Sequence, residues 1–206
     1  MKITAIKQQV KRPDRYSIYI DDTFAFGLSE QGLLESKLAT GQELESAQVK
    51  ALMATAVVDK AYGNALRYVV MRPRSMWEMQ TYLRRKQIDE PVADQIIERL
   101  TNLNLLSDEA FADAWVSNRR LLKATSKRRL RQELQQKHVA ERIIDRVLQE
   151  DETDERTVLM QLIEKKRQRY ADDVKLMQYL ARQGFGYDDI KSALEKYRQR
   201  AAEGGD

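Results

Sequence analysis

"SKRRLRQELQQKHVAERIIDRVLQE" (126–150) decides the fold, because its apolar residues recur elsewhere in the chain at the same spacing. Leu134, Val139, Ile144 and Leu148 stand at offsets 0, 5, 10 and 14. In "SMWEMQTYLRRKQIDEPVADQIIERL" (75–100) the same offsets hold Leu83, Ile88, Ala93 and Ile97. In "DVKLMQYLARQGFGYDDIKSALEKY" (173–197) they hold Leu180, Phe185, Ile190 and Leu194. Each stretch reads as helix, short break, helix. A further helix precedes each, over 59–71, 108–122 and 153–169. The repeating unit is therefore three helices, with Leu83, Leu134 and Leu180 spaced 51 and 46 residues apart. A unit of that size buries little by itself, and stacked neighbours share a core. The spacing predicts a mainly α protein of tandem three-helix repeats forming an elongated, curved array.

Capping residues mark the helix starts. Ser75 opens a helix with Glu78 three residues later, a capping-box pattern. Ser107 precedes Asp108 and Glu109, acids suited to a first helical turn. Ser126 opens the next helix, and Asp188 and Asp189 open the last one after "GFGY".

Upstream of the repeats the pattern changes. In "YSIYIDDTFAFGL" (16–28) Tyr16, Ile18, Tyr19, Ile20, Phe24 and Phe26 flank a polar "DDT", which predicts a hairpin. "ITAIKQQV" reads as an earlier strand, joined through "KRPDR" as a turn. Ser29 caps a short helix in "SEQGLLESKL", and "ATGQEL" breaks the chain. One long helix then runs from about Ser46 to Met71, with Leu52, Val57, Ala61, Leu66, Tyr68 and Val69 at helical spacings, and Pro73 ends it. The expected organisation is a small antiparallel β module with a short helix (1–45), the long helix and first repeat (46–106), the second repeat (107–150), and the third repeat with a polar tail (151–206). Two or three strands are marginal alone, so the sheet should pack on the helix that follows.

Charge is distributed unevenly. The formal net charge is +4, but residues 107–149 alone carry ten basic and six acidic groups, while 150–206 carry a slight acidic excess. The densest cluster is "RRLLKATSKRRLR" (119–131), with Arg119, Arg120, Lys123, Lys127, Arg128, Arg129 and Arg131 and no acid. With Leu130 and Leu134 as the buried stripe of helix 126–137, Arg128 points away from it and Lys127 and Arg131 flank it. Arg120 and Lys123 flank the apolar side of the preceding helix, where Phe111, Trp115 and Leu122 line up. A run without acids cannot neutralise itself through i,i+4 pairs, which favours an external partner over a merely solvated face. Arg84, Arg85 and Lys86, and likewise Lys165, Lys166 and Arg167, sit at helix C-termini, where cations also complement the helix dipole. Arg72 and Arg74 flank Pro73 and extend the first of these. A periodic basic rim suits a filamentous or polyanionic partner.

Catalytic chemistry finds little support. Cysteine is absent, and His138 is the only histidine, placed between two helices as a surface residue or cap. No metal-ligand spacing and no phosphate-binding glycine motif occurs, so no cofactor is expected. The acid pairs Asp21–Asp22, Asp172–Asp173 and Asp188–Asp189 fall at a turn or at helix starts, where Asp has a structural role. Trp77 and Trp115 read as core. No apolar run approaches a membrane span, and "MKITAIKQQVKR" lacks the apolar core of a signal peptide, which predicts a cytoplasmic protein.

Taken together, the motifs resemble one family. "RPRSMWEMQTYLRRK" (72–86) resembles the Arg…Ser-x-x-Glu-Leu-x-x-x-Leu-x-x-Lys pattern of the RecX family, and "LNLLSDEAFADAWVSNRR" (103–120) looks like its companion. "RLRQELQQKHVAERIIDRVL" and "LARQGFGYDDIKSAL" are similar to the family's second and C-terminal repeats, and residues 1–58 look like its N-terminal extension. Gln87, His138 and Asn104 stand where the family often has glycine, a departure that concerns helix C-caps. The resemblance implies a regulator of the RecA recombinase and not an enzyme. It implies repeats that lie in the groove of the RecA–single-stranded DNA filament and suppress ATP hydrolysis, strand exchange and filament growth. The further expectations are weak binding to single- or double-stranded DNA and, since nothing in the sequence demands a dimer, a monomer. The basic residues named above would then meet RecA or DNA. The alternative is a free-standing DNA-binding repeat protein that acts without RecA.

Overall fold

A computed structural model describes residues 1–203, with side chains through residue 200, so the last residues of the expected polar tail lie outside the described residues. The chain divides into two compact units, residues 1–72 with 79–105, and residues 73–78 with 106 onward.

The first unit begins with a three-stranded antiparallel sheet of β1 (Ile3–Gln9), β2 (Arg12–Ile20) and β3 (Thr23–Ser29), in that order. Asp21 and Asp22 form the β2–β3 turn with φ of 46° and 61°. Two successive left-handed residues give a turn whose twist matches the strands. The turn is held by its own side chains and neighbours: the Asp21 carboxylate accepts the Lys2 N–H at 2.9 Å, and Thr4 Oγ1 accepts the Asp22 N–H at 2.9 Å. "KRPDR" is not the turn expected of it. β2 already begins at Arg12, which pairs with Gln9, and the register then jumps to Gln8 opposite Tyr16. Pro13, which has no N–H for the ladder, sits inside that bulge.

Ile3, Ile18, Ile20, Phe26 and Leu28 line one face of the sheet and pack with Leu44, Val49 and Ala56. Ser29 caps α1 (Glu30–Ser36), accepting the Gly32 N–H at 3.0 Å. Along α2 (Ser46–Val70) the buried line is Val49, Ala56, Ala61, Ala65 and Val69. Val57, one of the apolar residues noted at helical spacings, is 63% exposed. A buried ion pair completes this unit: Arg15 lies 3.0 Å from Asp59 on α2 and donates to the Gly27 carbonyl at 2.9 Å. Asp59 also accepts the Ser29 N–H at 2.9 Å, so one carboxylate ties sheet, α1 and α2 together. The unit ends with α3 (Met76–Arg85), whose first residues group with the second unit, and α4 (Glu90–Asn102).

The second unit holds α5 (Asp108–Leu122), α6 (Lys127–Gln135), α7 (Glu141–Glu150), α8 (Glu155–Arg167), α9 (Asp173–Arg182) and α10 (Tyr187–Glu203). Two cores follow the repeat. One joins Phe111, Ala112, Val116, Leu130, Leu134, Ile144 and Leu148, and the other joins Leu159, Ile163, Leu176, Leu180, Phe185, Ile190 and Leu194. The predicted N-caps form: Ser75, Ser107 and Ser126 accept the N–H groups of Glu78, Ala110 and Arg129 at 3.2, 3.2 and 3.1 Å. The Glu78 carboxylate is held by Lys137 Nζ at 2.8 Å.

The offsets 0 and 5 have a backbone cause. After α3, α6 and α9 the chain turns through one left-handed residue, Gln87 (φ 56°), His138 (φ 57°) and Gly184 (φ 92°). The next N–H then bonds to the carbonyl five residues back: Ile88 to Leu83 O at 3.2 Å, Val139 to Leu134 O at 3.2 Å, and Phe185 to Leu180 O at 3.4 Å. This is the Schellman motif, in which the residues at the two ends of that bond also make an apolar contact. Asn104 (φ 55°) repeats it after α4, with Leu105 bonded to Leu100 O at 2.9 Å. In the first repeat the later offsets are less deeply placed, since Ala93 and Ile97 are half-buried while Ile96 and Leu100 are buried.

One hydroxyl joins the second and third repeats. Ser126 is fully buried and, besides capping α6, donates to the Gln183 carbonyl at 2.8 Å at the end of α9. Arg129 adds a bond to the Arg182 carbonyl at 2.8 Å. A Cβ on Gly184 would overlap Ser126 Oγ and come within 3.1 Å of the Arg129 backbone nitrogen. Two substitutions test this account. Gln87→Gly relieves an exposed left-handed residue and is expected to raise stability by about 1 kcal/mol. Gly184→Ala is expected to lower it by about 2–3 kcal/mol through overlap and strain. Both are read as shifts in the thermal midpoint; a neutral Gly184→Ala would mean that the seam is loose.

Candidate interaction surface

The basic cluster at 119–131 separates into two kinds of side chain. One kind is committed inside the protein. Arg120 Nε lies 3.0 Å from Asp151 Oδ2, and a second guanidinium nitrogen reaches the same carboxylate. Both partners are largely buried, and Arg120 also donates to the Thr125 carbonyl at 2.5 Å. Burial works against the Asp151 carboxylate, but hydrogen bonds from Arg120 and Thr153 outweigh it and hold its pKa below the usual carboxylate range. Arg119 Nε binds Glu133 at 2.7 Å while its guanidinium lies 4.7 Å from the Trp115 ring centroid. The Trp115 indole N–H donates to the same carboxylate at 2.9 Å. Arg129 pairs with Glu133 at 3.6 Å. Lys127 donates through Nζ to the Asp151 carbonyl at 2.6 Å, and its backbone N–H binds Glu155. Arg131 bridges Glu141 and Asp145.

Sequence spacing offers a signal for one of these counter-ions, since Glu133 stands four residues after Arg129. Asp151, Glu155, Glu141 and Asp145 are brought in by folding. The absence of acids within the run therefore does not leave the run unneutralised.

The other kind is free of carboxylates. Lys123 and Arg128 are exposed and form no ion pair among the described residues. Arg128 points away from Leu130 and Leu134, as its helical position predicts. In the third repeat Lys165 is exposed, Lys166 lies 5.8 Å from the Tyr179 ring centroid, and Arg167 is paired with Asp173. In the first unit Arg84, Arg85 and Lys86 are exposed at the end of α3, with Lys86 Nζ 5.8 Å from the Tyr82 ring. Arg72 is exposed after α2, and Arg74, in the second unit, is half-buried before α3.

Folding brings two of these clusters together. A groove of about 780 Å³ between the second and third repeats is lined by Lys123 on one side and Lys165 and Lys166 on the other. Leu121 and Leu122 form part of its wall and are 82% and 75% exposed. Leu122 was expected to continue the apolar line of Phe111 and Trp115, and it does not reach the core. Helical direction says where a side chain points, but burial also needs an element opposite it, and at the last turn of α5 the groove opens instead. Nor are the tryptophans deep core: Trp115 and Trp77 are half-buried, and Trp77 stacks on His138 at 4.8 Å. Two acids at the groove are already engaged. Glu133 is bound as above, and Asp154 caps α8, where hydrogen bonds from Thr157 and Arg156 hold its pKa low. Tyr179 stacks on Tyr170 at 5.2 Å, and its burial, with that neighbouring phenol, raises its pKa.

Among the described residues no group of three or more His, Asp or Glu side chains is arranged to hold a metal ion. No described helix is long and apolar enough to cross a membrane.

Comparison with known proteins agrees with this architecture. Residues 1–45 match the model of the regulatory protein RecX N-terminal domain, residues 61–100 the first RecX three-helix domain, and residues 107–148 the second. Regulatory protein RecX of Halalkalibacterium halodurans is 35% identical over 150 residues, 71% of this chain and 56% of that protein. The match thus spans little more than half of that relative's length. Regulatory protein RecX of Leuconostoc citreum is 31% identical over 200 residues, covering 94% of this chain and 75% of that protein. A crystal structure of regulatory protein RecX superposes with a TM-score of 0.69 at 27% identity, over 94% of this chain and 98% of the other. With three domain models matched in order and relatives aligned across nearly its whole length, the chain belongs to the RecX family of regulatory proteins.

Proposed function

We propose that this protein regulates RecA by docking its three-helix repeats into the groove of the RecA–single-stranded DNA filament, where it suppresses ATP hydrolysis, strand exchange and filament growth. It acts by binding, as a monomer in the cytoplasm, without catalysis of its own. Besides family membership, one observation carries this reading. Cations without counter-ions among the described residues recur along the repeats, at Arg84, Arg85 and Lys86, at Lys123 and Arg128, and at Lys165. A nucleoprotein filament offers phosphates and acidic side chains at repeated intervals, and such a surface attracts a repeated cationic one at long range.

Among the residues proposed from sequence as contacts, Lys123, Arg128 and Lys165 are available for a partner. Arg72, Arg74, Arg84, Arg85 and Lys86 stay in the proposal as contacts from the first repeat. Arg119, Arg120, Lys127, Arg129, Arg131 and Arg167 contribute first to the fold through their acidic and carbonyl partners, and any contact with RecA or DNA competes with those bonds.

The test is RecA's DNA-dependent ATP hydrolysis with this protein titrated well below one copy per RecA, beside binding to the same DNA without RecA. Inhibition at substoichiometric amounts with weak bare-DNA binding is expected. No inhibition together with tight, steeply salt-dependent DNA binding would establish the free-standing DNA-binding reading instead. Neutralising Lys123, Arg128 and Lys165 to Gln is expected to weaken inhibition about tenfold with an unchanged melting transition. Asp151→Asn is expected to act oppositely, leaving those cations in place and costing about 3 kcal/mol of stability by stranding Arg120. Because the Asp151 pKa is depressed on folding, its contribution is present above the unfolded carboxylate pKa of ~3.9 and is lost only as pH falls from there through the folded value. Wild-type stability lost well above that range would argue against this role.

A further inference from the structure

The groove between the second and third repeats contains something that a purely electrostatic surface would not need. Leu121 and Leu122 stand adjacent in the last turn of α5, both more than two-thirds exposed, directly before Lys123. Behind them the groove is floored by the buried side chains of Val158 and Leu162. Adjacent exposed leucines beside an apolar floor mark a surface that gains by being covered. We propose that this groove binds a short protein segment that is both acidic and apolar, its leucine-like side chains packing on Leu121 and Leu122 and its carboxylates meeting Lys123 and Lys165. The proposal deepens the regulatory reading, on which it rests, by naming the chemistry of one contact.

Charge complementarity selects an acidic occupant. Lys123, Lys165 and Lys166 border the groove without carboxylate partners among the described residues, whereas Glu133 is held by Trp115, Arg119 and Arg129, and Asp154 serves as a helix cap. The apolar wall selects peptide over nucleic acid. Single strands are held by open aromatic faces on which bases stack. The aromatic ring here, Tyr179, is covered on one side by Tyr170 and approached by Lys166. Leucines supply neither stacking nor hydrogen bonds, but they match the apolar side chains of a peptide.

The measurement is fluorescence anisotropy with the full chain and three labelled probes: a peptide alternating Glu or Asp with Leu or Phe, the same peptide with serine at the apolar positions, and an oligothymidylate. The wild type is expected to bind the apolar acidic peptide at least about tenfold more tightly than its serine version. Leu121→Ser with Leu122→Ser should erase that preference, and Lys123→Gln with Lys165→Gln should weaken both peptides. These positions are exposed, and circular dichroism would verify that each variant stays folded. Absence of peptide binding, equal affinity for the two peptides, or an unaltered preference in the leucine variant overturns the proposal. So does an oligothymidylate that displaces the peptide and loses its affinity in the same variants, since the groove would then be a nucleic-acid site. Wild-type protein that binds the peptide as expected yet fails to inhibit RecA would sink the regulatory reading and leave the groove assignment standing.

Discussion

The six-residue backbone bond that closes the second helix of each repeat is the constraint on which the remaining architecture depends. It fixes the angle at which the third helix leaves, and it places the residues at its two ends in apolar contact. Leu134 and Val139, or Leu180 and Phe185, enter the core together because one bond joins their backbones. The bond requires a left-handed residue at its penultimate position. Glycine meets that need in the third repeat, while glutamine and histidine do so in the first two at some conformational cost. Each repeat thus carries the same turn on different chemistry, and the pattern of buried residues follows from it.

A second constraint acts between repeats. The Ser126 hydroxyl both caps α6 and donates to the end of α9, so helix initiation in one repeat and helix termination in the next share an atom. The left-handed glycine beside it permits this approach. The groove lined by Lys123 and Lys165 lies between the same two repeats.

The arginines illustrate how charge density misleads. A run of seven cations without an acid invites an external polyanion, yet four of these side chains, Arg119, Arg120, Arg129 and Arg131, are paired with carboxylates that lie outside the run. Arg120 is a buried strut in a pair with Asp151, expensive to break and of little use for recognition. Lys123 and Arg128 differ from it only in what the fold sets opposite them. The same holds for Leu122, which shares a helical direction with buried Phe111 and yet faces solvent.

The sequence by itself determined the elements, because these rest on local physics. Period and offset exposed the helices, serines marked their starts, and Asp21–Asp22 between β-favouring residues marked the hairpin. The spacing of Leu134 and Val139 carried the imprint of a helix C-cap that involves only six consecutive residues. What only the tertiary structure decided was every property that depends on a distant partner. These include the bulge that absorbs Pro13, the pairing of Arg15 with Asp59, the neutralisation of Arg120, and the meeting of Lys123 with Lys165 on one groove. Local pattern sets which way a side chain points; whether it is buried, paired or available is set by residues tens of positions away that only folding brings near.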